Sequence, residues 1–63
     1  MKISVVNYNE VIEIMPNIEG DDTYSIIIGF DNGERMCYGY ASRKRFLHDY
    51  KRLMLAWTRY DDD

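Results

Sequence analysis

His48 and Cys37 are the two side chains whose types suit catalysis near neutral pH, one as a proton acceptor and the other as a nucleophile. Neither has the neighbours such chemistry needs. The acid beside His48 is Asp49, which a helix turns about 100° away from it. Cys37 is the single cysteine, so it has no intrachain disulfide partner, and one histidine beside it makes no zinc-binding set. Asp21, Asp22, Asp31 and Glu34 lack the spacing of a calcium loop. The expectation is a chain that is not an enzyme and requires no metal or cofactor.

The cations form a clearer pattern. At the helical repeat, Lys44, His48, Lys51, Arg52, Leu55 and Arg59 share one arc, with apolar Leu55 near its centre and no acid among them. An apolar side chain rimmed by charge suits contact with a protein partner that has an acidic surface. A solvated basic face, partly paired to acids on the sheet, is the plainer account of the same pattern. Arg43, Lys44 and Arg45 crowd a helix start, where free backbone N–H groups could join them in holding an anion. No glycine-rich loop precedes them, so a nucleotide pocket is not expected. The rival partner is nucleic acid, with the basic helix face contacting DNA phosphates against the opposition of an acidic remainder.

A helix must carry these residues. Ser42 is a suitable N-cap, and after it Phe46, Leu47, Tyr50, Leu53, Met54, Trp57 and Tyr60 fall on a second arc about 140° wide. That stripe predicts a helix laid on a sheet. Its charges run against the helix dipole, with Arg43 to Arg45 at the positive start and Asp61 to Asp63 at the negative end. Burying the stripe is worth about 1.5 to 3 kcal/mol for each large apolar side chain, which outweighs dipole effects of about 0.3 to 1 kcal/mol each. Packing therefore permits the reversed charges. Two antiparallel helices in a homodimer would bring each Arg-Lys-Arg start near the other's Asp end; a disordered, solubilising tail at 61–63 accounts for the same aspartates.

The sheet is read from the residues before Ser42. KISVVNYNEVIEIMPN is rich in β-branched residues, broken by Asn7 and Asn9 and ended by Pro16, which predicts a bent strand or short hairpin. NIEGDD, residues 17–22, predicts a loop. TYSIIIGF and RMCYGYA predict two strands joined at DNGE, and the loop length there decides which side chains share a face. A two-residue loop mixes Tyr24, Ile26, Ile28 and Phe30 with Arg35, Cys37 and Gly39. A three-residue loop of Asp31, Asn32 and Gly33 instead gathers Tyr24, Ile26, Ile28, Phe30, Met36, Tyr38 and Tyr40 toward the core. It leaves Thr23, Ser25, Ile27, Gly29, Arg35, Cys37, Gly39 and Ala41 outside. The coherent face selects the second register.

The expected fold is α+β, an antiparallel sheet of three or four strands followed by one C-terminal helix, with 1–60 as a single domain. At 63 residues such a domain is near the lower size limit for a self-sufficient core. Residues 1–41 set two cations against seven acids, a net −5, whereas residues 42–60 set six against one, a net +5. The molecule is thus electrically two-faced. With no charged-then-apolar leader after Met1 and no apolar run near membrane-spanning length, a soluble cytoplasmic protein is expected. The composition suits a small regulator or inhibitor that binds another protein, of the kind a virus or mobile element encodes; a DNA-binding regulator is the alternative.

Overall fold

The computed structural model describes residues 6–61, and their side chains as far as residue 59. It is an α+β fold: a short 3-10 turn (Tyr8–Glu10), strands β1 (Val11–Ile18), β2 (Tyr24–Phe30) and β3 (Arg35–Tyr40), then helix α1 (Arg43–Asp61). The sheet is an antiparallel meander in the order β1-β2-β3.

Both connections are short. Between β2 and β3 the loop is Asp31, Asn32 and Gly33: Phe30 N–H donates to the Glu34 carbonyl at 2.9 Å, and Gly33 N–H donates to the Phe30 carbonyl at 3.0 Å. Gly33 has φ 89°, the left-handed conformation that glycine adopts without a Cβ penalty. The Asn32 side chain accepts the Glu34 N–H at 2.9 Å and holds the turn from outside. The expected register follows, with Ile26 opposite Tyr38, Ile27 opposite Cys37 and Ile28 opposite Met36.

The first strand differs from expectation. It does not end at Pro16 but runs through Asn17 and Ile18, and the loop is confined to residues 19–23. The hydrogen bond from Glu19 N–H to the Thr23 carbonyl sets the alternation of the ladder. By that alternation Pro16, opposite Ile26, directs its nitrogen away from β2. On an edge strand at that position no ladder bond is lost, so proline need not stop the strand. A register shift between Val11 and Glu13 bends β1, as the sequence suggests. The KISVV segment expected to begin a strand lies mostly outside the described residues.

The core is formed by Val6, Val11, Ile14, Ile26, Ile28, Phe30, Phe46 and Leu53. Phe46 joins helix to sheet, its ring stacked on Tyr24 at 5.2 Å and on Tyr50 at 6.1 Å, with Tyr40 edge-on at 6.1 Å. Along its length α1 touches β3, β2 and the 3-10 turn before β1, so it crosses the sheet diagonally. A helix about 10 Å wide covers roughly two strands spaced about 4.8 Å apart, and a diagonal one leaves two corners bare. Those corners hold Ile18, 64% exposed, and Met36, 40% exposed. Met36 was expected in the core. It lies on the core-side face, but beyond the reach of the helix, and Tyr38 beside it is only half-buried.

Candidate functional site

Ser42 starts the helix as expected. Its hydroxyl accepts the Arg45 N–H at 3.3 Å and its carbonyl accepts the Phe46 N–H at 3.0 Å. From this start the apolar stripe is turned to the sheet: Phe46 and Leu53 are buried, and Leu47, Tyr50, Met54 and Trp57 pack against the core. The rotation of the helix is thereby fixed, and it presents the opposite arc to solvent.

That arc carries Lys44, His48, Lys51, Arg52, Leu55 and Arg59, every one of them exposed. Leu55 is 54% exposed despite its apolar side chain. Among the described residues an ion pair lies on the sheet, Arg35 to Glu13 at 3.8 Å, and no acid of the sheet pairs with Lys44, Lys51, Arg52 or Arg59. The arc thus sets positive charge around an apolar centre.

Arg43, Lys44 and Arg45 also surround the helix start as expected, and all three are exposed. Ser42 already takes one N–H, and Arg45 lines an open hollow of about 640 Å³ whose other walls are Gly39, Tyr40, Ala41, Ser42 and Asp49. The Asp49 carboxylate stands on one wall of that hollow, opposite in charge to Arg45.

The Asp49 contact is one that sequence reasoning missed. The Tyr40 hydroxyl, at the end of β3, donates to Asp49 Oδ2 at 2.6 Å. The bond holds the Asp49 carboxyl below its ordinary range, while burial, followed by the bond to Asp49, pushes the Tyr40 phenol up. A signal was present: Asp49 is the lone acid in residues 42–60, at the border of the apolar stripe, and Tyr40 is a core-face tyrosine whose hydroxyl must reach an edge.

The opposite face of the sheet holds three cross-strand rows. Glu13, Gly29 and Arg35 form the first, Met15, Ile27 and Cys37 the second, and Asn17, Ser25 and Gly39 the third. In the first, the Glu13 side chain lies over Gly29 to approach Arg35; a Cβ on Gly29 would meet Glu13 Cγ at 2.8 Å. The third is joined by Asn17 Nδ2, which donates to Ser25 Oγ at 3.3 Å. Cys37 is a free, exposed thiol, and His48 is exposed on the far side of the molecule's helix, so the structure does not bring the two together. Among the described residues no group of three or more His, Cys, Asp or Glu side chains could hold a metal ion, and no helix is long and apolar enough to cross a membrane. Compared with protein-family models, curated proteins and solved structures, the chain matches none.

Proposed function

We propose that the chain is a small non-enzymatic regulator or inhibitor that covers an acidic surface of a partner protein with the outer arc of α1. The observation that carries this reading is the exposure of Leu55 amid Lys44, His48, Lys51, Arg52 and Arg59, with no ion pair from the four Lys and Arg side chains to an acid of the sheet among the described residues. A desolvated apolar centre supplies affinity, and surrounding charges steer the encounter and select an acidic partner. The rest of the chain is acidic, so an acidic partner is drawn to this side and repelled by the other. The free Cys37 thiol suits a reducing cytoplasm.

The alternative is a regulator that contacts DNA phosphates through the same face. One affinity capture separates the two. Parent protein and a Lys51→Glu, Arg52→Glu, Arg59→Glu variant are immobilised in parallel, with and without nuclease, and bound material is identified by mass spectrometry. A protein retained by the parent, lost with the variant and indifferent to nuclease supports the proposal. Retention that vanishes with nuclease supports the DNA reading. Equal retention by parent and folded variant removes the arc from both.

A further inference from the structure

The two edges of the sheet are unequal. On β1 the free edge is interrupted by the register shift after Val11 and carries Pro16, which has no N–H to offer where its nitrogen faces outward. On β3 there is no proline, and its pairing with β2 runs from Gly29–Arg35 to Tyr24–Tyr40 without a register shift. Phe30 and Glu34 share a hydrogen bond, so the alternation assigns the ladder bonds of β3 to Met36, Tyr38 and Tyr40. The N–H and C=O groups of Arg35, Cys37 and Gly39 therefore point away from β2. Among the described residues no strand pairs with them, and the side chains that flank this edge, Met36 and Cys37, are exposed.

We propose that β3 is a self-association edge, on which two copies of the chain pair antiparallel about a two-fold axis through Cys37 and form a continuous six-stranded sheet. A second copy fits because one edge is open and the other blocked: β3 can meet β3, but β1 cannot extend the sheet, so the assembly closes as a dimer instead of growing into a filament. The register follows from the free groups. Centring on Cys37 sets Arg35 opposite the partner's Gly39 and Cys37 opposite the partner's Cys37, which uses all three outward-facing residues of β3. Shifting by two residues either way moves one of the pairings into the 31–33 turn or past the end of the strand. The chosen register also sets Met36 opposite the partner's Tyr38, covering the thioether that α1 leaves bare. It places no two like charges opposite each other. With the axis perpendicular to the sheet, both α1 helices lie on one face and their outer arcs stay free, so this inference stands apart from the partner-binding reading.

Gly39 provides the test, because a Cβ there meets nothing within 4 Å and its replacement leaves the monomer undisturbed. In the paired register a side chain at position 39 faces the partner's Arg35, twice per dimer. Sedimentation equilibrium of the reduced protein, from micromolar to millimolar concentration, measures the dimer constant for the parent, Gly39→Glu and Gly39→Lys, with circular dichroism confirming each fold. The expected result is a reversible parent dimer, tightened about fivefold by Gly39→Glu and weakened about fivefold by Gly39→Lys, from cross-strand charge pairing. Slowed amide exchange at Arg35, Cys37 and Gly39 in the dimer is the second expected readout. A parent that stays monomeric at millimolar concentration overturns the proposal, as does a dimer constant that both variants leave unchanged or shift in the same direction. Cys37→Lys, which sets two cations at the axis, should also dissociate the dimer, and a dimer that survives it intact counts against the register.

Discussion

The Tyr40 hydroxyl and the Asp49 carboxylate, nine residues apart, meet at 2.6 Å and tie the last residue of the sheet to the second turn of the helix. The bond spans the Ala41–Ser42 corner and fixes the angle at which α1 leaves β3.

That bond predicts two limits of pH stability. Asp49 titrates lower in the folded chain than its ordinary 3.8, so its contribution is full above that value and is lost as pH falls through the folded pKa. Tyr40 titrates above its ordinary 10.0, so its contribution is full below that value and is lost as pH rises through the folded pKa. Tyr40→Phe should cost about 1 kcal/mol at pH 7 and flatten both limbs. Urea titrations between pH 3 and 11 measure this; a variant with the parent's pH profile would show that the bond does not carry the effect.

Gly29 is expected to be coupled to Glu13. Gly29→Ala forces the Glu13 side chain off its path across the sheet, and the exposed ion pair to Arg35 that is lost contributes less than about 1 kcal/mol. In the parent the substitution should destabilise by about 0.5 to 1 kcal/mol. In a Glu13→Ala background the clash is gone, and the alanine should be neutral or stabilising because it restricts the unfolded chain. A double-mutant cycle reads the sign change, and additive effects would exclude the coupling.

Phe46 is the most exposed to loss of any single core residue, since its ring meets Tyr24, Tyr40 and Tyr50 together. Phe46→Ala removes about 3 to 5 kcal/mol, close to the whole stability of so small a domain, and should leave the chain largely unfolded at 25 °C. Phe46→Leu should fold with a lowered midpoint. Near-ultraviolet circular dichroism distinguishes the two, and native signal from Phe46→Ala would refute the central role given to this ring.

The outer arc of α1 should be replaceable without loss of fold. Lys51→Glu, Arg52→Glu and Arg59→Glu alter exposed residues, with changes of about 0.5 kcal/mol or less each. Against a protein partner, Leu55→Ala should cost about 2 kcal/mol of affinity, while the charge reversals mainly slow association. Against DNA, the reversals should dominate and affinity should fall linearly with salt on logarithmic axes. Calorimetry and stopped-flow mixing with the recovered partner separate these patterns.

Much of this fold is legible in the chain because local chemistry and face pattern agree. Gly33 after Asp31 and Asn32 gives the loop, and the loop gives the β2–β3 register; Ser42 and the seven-residue stripe give the helix and its rotation. The features that are not legible depend on position within the sheet. Pro16 is tolerated because β1 is an edge, and nothing local to Pro16 says so. Met36 has the right parity for the core and is exposed because one diagonal helix cannot cover three strands. The outer arc follows from helical periodicity alone, but the absence, among the described residues, of ion pairs between its Lys and Arg side chains and the sheet acids follows only from the tertiary arrangement. The Tyr40–Asp49 bond is tertiary, and the outward groups of β3 follow from strand order.

Each strand pairs with its neighbour in the chain through a connection a few residues long, so the sheet is assembled from successive local encounters. Closing such short loops takes well under a microsecond and forming a hairpin takes about 1 to 10 μs. The slow event is then the meeting of distant parts, in which α1 returns across the sheet to reach the 3-10 turn. Trp57, half-buried on the sheet side of the helix, sits where that meeting would alter its fluorescence. Refolding followed at tryptophan should be a single exponential on the order of milliseconds, as sheet zippering and helix docking merge into one barrier.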